Sequence, residues 1–258
     1  MMAIAGRYLY GLIRATEDRD FGPVGLPIVG APTPVHTIRV GDIGAVVSNF
    51  PTKDRLLPLR RNLEPHNRVI RDIMNETTII PMAFGQVART EAEVVKALKG
   101  NLKTIDAELT RLDGKVEMTL RVLWDVPNIF EYLVAEDPVL ALARDEMFGR
   151  SSRPTQAEMI DMGKMFEERL AFARKRDTRR LVQIFKPHAA EVKENDPKDE
   201  KMVAHLSFLV RRDQMQTFEE TLFQAASSFP DAYVFDYNGP WAPFSFVEID
   251  LRLDSAQA

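Results

Sequence analysis

The chain has 258 residues and a mass of 29.3 kDa, and its 34 lysines and arginines against 38 aspartates and glutamates give a formal net charge of −4. Hydrophobic residues make up 45% and charged residues 28%, which is typical of a globular protein with one large or two ordinary domains. The absence of cysteine excludes disulfides, thiol catalysis, iron–sulfur clusters and thiolate zinc sites. The balanced charge argues against an evenly basic nucleic-acid-binding surface and against disorder.

The sequence shows no sign of a targeting or membrane segment. Arg7 interrupts the first apolar stretch before it is long enough for the core of a signal peptide. The longest uncharged run, Phe21–Ile38, contains four prolines and three glycines, which disfavour a membrane-spanning helix. We therefore expect a cytoplasmic location without membrane association.

Strand patterns dominate the first part of the chain. Short aromatic or β-branched runs predict strands at Gly6–Arg14, Val35–Val40, Ile43–Ser48 and Thr77–Phe84. The pair Gly41-Asp42 lies between two of them, and its glycine can supply the positive φ that a tight hairpin turn requires. The sequence therefore predicts a β-hairpin in this region.

Two helices are predicted in the first 113 residues, one before and one after the strand pattern at Thr77–Phe84. Apolar spacing predicts that the first begins near Glu64 or Pro65, because proline is tolerated in the first turn of a helix. Thr90 followed by Glu93 forms a capping-box pattern, which predicts a second helix that extends to about Leu112.

The strongest strand pattern is Lys115–Val126, in which apolar and polar residues alternate over the whole segment. After it, the sequence predicts in chain order one or two short helices in Asn128–Leu142, an amphipathic helix in Thr155–His188, a polar loop in Glu191–Lys201, a strand in Met202–Val210, a capped helix in Asp213–Ser228, a strand in Ala232–Tyr237, a turn in Asn238–Pro243 and a last strand in Phe244–Leu251. The amphipathic helix would be roughly 50 Å long at 1.5 Å per residue.

These elements predict an α+β fold with two domains, residues 1–113 and 114–258. The second domain reads strand, helix, strand, helix, strand, strand. If a long and a shorter helix pack on one face of an antiparallel sheet, this domain has a ferredoxin-like or related fold.

No catalytic or metal-binding pattern is visible. The four histidines lie far apart in sequence, and neither a phosphate-binding loop nor a Gly-x-Ser-x-Gly motif is present. His66 could be a general base, but no suitably spaced carboxylate is evident, so a hydrogen-bonded structural histidine is favoured. We therefore predict no catalytic residues, no metal site and no cofactor.

Two segments are candidates for binding a partner. The run Arg174–Arg180 contains five basic residues, of which Arg174, Arg176 and Arg180 are the candidates for docking an acidic protein surface. The alternative is that the run is a solvated helix face. Binding of nucleic acid is not favoured, because no aromatic residues alternate with the basic ones. The segment Tyr237–Phe246 is rich in aromatic residues and proline. It would either close the end of the sheet or present an interface, and its candidate binding residues are Tyr237, Trp241, Phe244 and Phe246.

Four segments are distinctive in their order and spacing: Tyr8-Leu9-Tyr10-Gly11, His66 followed by Ile79–Gly85, Gly114–Met118 and Gly239–Phe246. Together they resemble the gas vesicle protein F/L family. The chain departs from the family pattern at Ala83, where a basic residue is common, at Met118, where Trp is common, and at Ala242 and Phe244, where Pro and Tyr are common. The resemblance leaves open whether the chain is of the F or the L type.

The resemblance implies a two-domain α+β protein whose C-terminal domain is a modified ferredoxin-like fold. It implies a minor gas vesicle component and assembly factor that is not an enzyme. Its partner would be the hydrophobic rib-forming protein, whose aggregation it would prevent during nucleation, and other gas vesicle accessory proteins are further candidates. The alternative functions are a small-ligand-binding regulatory module with ferredoxin-like domains and an enzyme that uses His66 as its base.

Overall fold

The computed structural model describes residues 6–28, 30–51, 56–151, 153–249 and 251. The described residues form two compact units, the first drawn from Met1–Glu117 and Pro240–Ala258 and the second from Met118–Gly239. The limits of these units differ from the predicted domains 1–113 and 114–258. The division into those two domains stays a prediction. No helix among the described residues combines the length and apolar character needed to cross a membrane.

The strands of the first unit are β1 Gly6–Arg14, β2 Asp20–Gly22, β3 Pro27–Ile28, β4 Ala31–Pro32, β5 Val35–Val40, β6 Ile43–Phe50, β7 Ile79–Pro81 and β8 Val87–Ala88. They form a sheet with the order β2-β5-β6-β1-β7, in which β8 also pairs with β1, and β3 and β4 form a short separate pair. The predicted strand β1 is confirmed residue for residue. The predicted hairpin is confirmed as well, because Val40 pairs with Ile43 across Gly41, whose φ is +63°.

Two helices complete the main elements of this unit, α1 Arg60–Glu76 and α2 Glu91–Leu112. The prediction that α1 begins at Glu64 or Pro65 was wrong, because Pro65 lies inside the helix. The Glu93 N–H donates to the Thr90 hydroxyl at 3.2 Å, which confirms the predicted cap of α2. The Glu93 carboxylate accepts instead from the Arg89 N–H, so only half of the expected capping box is formed.

The sheet associated with the second unit consists of β9 Lys115–Trp124, β10 Glu191–Asn195, β11 Met202–Arg211 and β12 Tyr233–Trp241. The strands lie in the order β10-β11-β9-β12. With helices before β10 and between β11 and β12, this is the strand order of a ferredoxin-like βαββαβ unit. The alternating apolar residues of β9 are buried, from Val116 to Trp124, as their pattern predicted.

The helices of the second unit are α3 Ile129–Glu136, α4 Pro138–Phe148, α5 Gln156–Phe185 and α6 Met215–Ser227. The two short helices α3 and α4 and the long helix α5 confirm the sequence prediction. The predicted side-chain cap of α6 is absent, since its N-cap residue Gln214 makes no capping hydrogen bond.

The predictions of a loop after α5 and of a turn and a last strand at the C-terminal end were wrong. The polar segment after α5 contains the strand β10, which pairs antiparallel with β11 from Glu191 to Asn195. Charged side chains are common on such an edge strand because they discourage pairing with other chains, so polarity alone does not indicate a loop. At the C-terminal end, β12 continues through the expected turn to Trp241, and Phe244–Phe246 form a 3-10 turn instead of a strand. Residue 250 of that expected strand lies outside the described residues.

The complete capping box at the start of α5 yields a stability prediction. The Thr155 hydroxyl accepts from the Glu158 N–H at 3.3 Å, and the Glu158 carboxylate accepts from the Thr155 N–H at 2.8 Å. We expect Thr155→Ala to lower the free energy of unfolding by about 1 kcal/mol, measured by urea denaturation. Thr104→Ala, the same change on an exposed position within α2, is the control and should not destabilise the protein. Equal stability of the two variants would contradict the prediction.

Candidate partner-binding site

His66, the residue considered as a base, lies in a buried aromatic cluster and is 1% exposed. The Tyr8 hydroxyl is hydrogen-bonded to its Nδ1 at 2.8 Å and accepts from the Gly85 N–H at 3.2 Å. Burial lowers the pKa of His66 to about 4; an interaction with the Met82 backbone opposes part of this shift, although Nε2 makes no well-formed hydrogen bond with the described residues. Among the described residues no carboxylate bonds to His66, and its burial denies it the solvent access that a general base needs.

The second tyrosine of the opening motif also has a structural role. The Tyr10 hydroxyl accepts from the Leu26 N–H at 2.8 Å and hydrogen-bonds the Ser48 hydroxyl at 3.0 Å. Thr33 donates in turn to the Leu26 carbonyl at 2.9 Å. The motif therefore attaches the proline- and glycine-rich loop to the sheet of the first unit.

An apolar cleft of about 160 Å³ lies in the first unit, between α1 and the chain from the last residues of β12 to Phe244. Trp241 and Phe244 line it and are 45% and 41% exposed. The other lining residues are Asn67, Ile70, Arg71, Met74, Pro240 and Ala242. Two of the four predicted aromatic residues therefore flank one cleft and present much of their surface to solvent.

The other two aromatic candidates do not belong to this cleft. Phe246 is only 1% exposed, so its side chain is unavailable to a partner and its assignment as a binding residue is corrected. Tyr237 lies in the second unit, where its ring stacks on Phe218 at 6.0 Å. Burial raises the pKa of Tyr237 above the usual range. The segment thus combines the structural and the exposed alternatives that its sequence left open.

Two buried carboxylates hold the segment in place. The Glu117 carboxylate accepts from the Ser245 N–H at 2.8 Å and from its hydroxyl at 2.5 Å. The Glu108 carboxylate accepts from the Glu248 N–H at 3.0 Å and from two nitrogens of Arg111, which also donates to the Phe246 carbonyl. Hydrogen bonds from Arg111 lower the pKa of Glu108 despite its burial. Sequence reasoning missed these residues, since each carboxylate looks like part of a solvated face.

The three predicted arginines all make contacts within the second unit. Arg174 donates to the backbone carbonyls of Asp199, Glu200 and Met202 at 2.7 to 3.0 Å, which fixes the turn between β10 and β11. Arg176 pairs with the buried Asp177, and Arg180 donates to Ser228. These arginines therefore serve the fold, and a role in docking an acidic surface stays a prediction.

Within the part of the chain that is described, no group of three or more histidine, aspartate or glutamate side chains is arranged to hold a metal ion. The sequence profile of the family described as gas vesicle synthesis protein GvpL/GvpF matches residues 6–248. The chain belongs to this family. Its members are gas vesicle proteins, and the family is not a known enzyme family. The chain therefore has a role related to gas vesicles.

Relatives from several organisms match almost the whole length of this chain. Gas vesicle protein F of Microcystis aeruginosa is 28% identical over 252 residues, covering 95% of this chain and 98% of its own. Gas vesicle protein L of a Streptomyces species is 27% identical, covering 94% and 93%. The crystal structure of GvpF from Anabaena sp. PCC7120 has a TM-score of 0.81 at 24% identity, covering 95% and 99%. This likeness confirms the predicted α+β fold class.

Proposed function

We propose that the protein is a gas vesicle assembly factor and minor vesicle component that binds the hydrophobic rib-forming protein and prevents its aggregation during nucleation. It acts in the cytoplasm and at the vesicle and does not catalyse a reaction. Family membership over residues 6–248 is the observation that carries this proposal.

The physical chemistry of the cleft supports the proposal. A protein that builds a gas-filled shell needs a strongly apolar face, which would aggregate if it remained exposed before assembly. Trp241 and Phe244 offer large, half-exposed rings beside an apolar helix face, and such residues commonly anchor interfaces.

Replacing both rings, Trp241→Ala with Phe244→Ala, should weaken binding of the purified rib protein at least about tenfold, since burial of two large side chains would be lost. Affinity can be measured by calorimetry or by pull-down with detergent-solubilised rib protein, and protection by the turbidity of a diluted sample. Phe223→Ala is the matched control, because Phe223 is 72% exposed in the second unit and lies outside the cleft.

Two outcomes would count against the proposal. Unchanged affinity of the double variant would exclude the cleft as the binding site, and failure of the wild-type protein to bind or protect the rib protein would exclude the function itself. In cells that form gas vesicles, deletion of the gene should abolish flotation where no paralogue replaces it.

A further inference from the structure

A cavity of about 500 Å³ in the second unit is not used by the proposed function. Its volume falls within the range typical of sites for small organic ligands. The aromatic residues of its walls are Trp124, Tyr132, Phe172, Phe229 and Tyr233. These rings offer flat apolar faces against which an aromatic ligand can pack.

Asp177, a buried carboxylate in the wall of this cavity, is fully engaged by its neighbours. Arg176 donates to both of its oxygens, at 2.8 and 3.1 Å, and the Tyr233 hydroxyl donates to Oδ2 at 2.8 Å. Because Asp177 is only 3% exposed, these bonds fix its side chain in one position. Asp177 therefore organises the cavity and has little capacity left to accept from a ligand.

The second carboxylate of the wall, Asp137, is engaged in the same way. Its Oδ1 accepts from the Val139 and Leu140 N–H groups as the N-cap of α4. Its Oδ2 accepts from the Arg169 Nε at 2.5 Å. The acceptor atoms of the two inner carboxylates are thus occupied within the protein.

Hydrogen-bond donors, in contrast, remain available. Toward the described residues, Arg169 donates only through Nε, and Arg180 donates only through Nη2, to the Ser228 carbonyl and hydroxyl. Arg180 forms no ion pair with any described residue, and its guanidinium lies 4.4 Å from the centre of the Phe229 ring. The remaining acid of the lining is Glu136, the last residue of α3.

We propose that this cavity binds a small organic carboxylate with an aromatic body. The ligand carboxylate accepts from the guanidinium groups of Arg180 and Arg169. A planar guanidinium can donate two parallel N–H groups to the two oxygens of a carboxylate, and such charge-assisted hydrogen bonds are strong. The ligand ring packs among the aromatic walls. This site is independent of the rib-protein cleft, and neither proposal depends on the other.

The two tryptophans of the chain allow a direct test. Trp124 lines this cavity and Trp241 lines the other cleft, so Trp241→Phe leaves Trp124 as the single fluorescent reporter. In this background the full chain is titrated with phenylacetate, indole-3-acetate and benzoate, and the neutral amide phenylacetamide serves as the matched ligand. Calorimetry on the wild-type chain gives affinities free of optical interference from the indole ligand.

We expect saturable binding of at least one carboxylate with a change in Trp124 emission, and roughly tenfold or greater weakening in Arg180→Gln. Arg179→Gln is the control, because Arg179 is the adjacent exposed arginine and does not line the cavity. For phenylacetate, the amide should also bind at least about tenfold more weakly, a comparison that requires no variant. No response to any of the three carboxylates at millimolar concentration, equal binding of phenylacetate and its amide, or unchanged affinity of Arg180→Gln would overturn the proposal.

Discussion

Acidification from pH 6.5 to pH 4 is expected to lower the free energy of unfolding by about 3 kcal/mol through His66 alone. Burial depresses the pKa of His66 from 6.5 to about 4 in the folded protein, so only the unfolded chain binds the proton readily in this window. The stability that the neutral ring contributes is therefore complete above pH 6.5, declines as the pH falls and is lost by about pH 4. Urea denaturation at several pH values measures this slope.

The variant His66→Asn separates this effect from the titration of carboxylates. An asparagine amide oxygen can accept from the Tyr8 hydroxyl in place of Nδ1, but it does not titrate. The variant should be less stable than the wild type at pH 7 because it leaves a cavity, yet it should lack most of the loss between pH 6.5 and 4. His36→Asn retains His66 and should keep that loss. An acid slope in His66→Asn equal to that of the wild type would contradict the interpretation.

Most of the motif residues that carry the family resemblance turn out to be core residues. Tyr8 and Tyr10 are buried and bonded to His66 and Ser48, and these bonds require their hydroxyl groups. A Cβ on Gly11 would lie 2.6 Å from the Ile79 side chain and 2.7 Å from the Ile80 carbonyl, so only glycine fits against β7. These motifs therefore identify the fold more directly than they identify a binding surface.

Local signals predicted the regular elements well. The alternation in β9 and the glycine turn after β5 are properties of neighbouring residues, and both appear as expected. Pairing partners are not local. The strand β10 is polar and becomes a strand only because β11 offers a ladder, and Pro65 is accepted inside α1 because the helix buries a large apolar face around it. Sequence reasoning instead placed a loop over β10 and the start of a helix near Pro65.

The candidate site was predictable only in part, for a similar reason. Residue type marked Trp241 and Phe244 as unusual, but their exposure depends on where the segment packs. Phe246 is of the same type and is buried, because the hydrogen bonds to Ser245 and Glu248 draw this part of the segment onto the first unit. Glu117 falls on the polar face of β9 in the sequence pattern, yet it is buried beneath that segment. No local rule distinguishes it from a solvated glutamate.

The attachment of this segment leads to the second large effect, on replacing Arg111. We expect Arg111→Met to lower the free energy of unfolding by about 3 kcal/mol, since Glu108 would keep its buried charge without its partner. Arg111 donates to the two oxygens of Glu108 at 2.8 and 2.9 Å, and Glu108 is 6% exposed. Arg68→Met is the matched control. It removes an exposed arginine from the helical pair with Glu64, and should cost no more than about 0.5 kcal/mol.

A double variant tests whether the unpaired carboxylate causes this loss. Adding Glu108→Gln to Arg111→Met removes the buried charge while leaving a group that can still accept from the Glu248 N–H, so much of the stability should return. Rib-protein affinity provides an independent readout, because the lost bond to the Phe246 carbonyl loosens the segment that carries Trp241 and Phe244. The single variant should therefore bind more weakly than Arg68→Met at a temperature where both are folded. Equal stability of the two single variants, or no recovery in the double variant, would show that Glu108 is not the group that holds this segment.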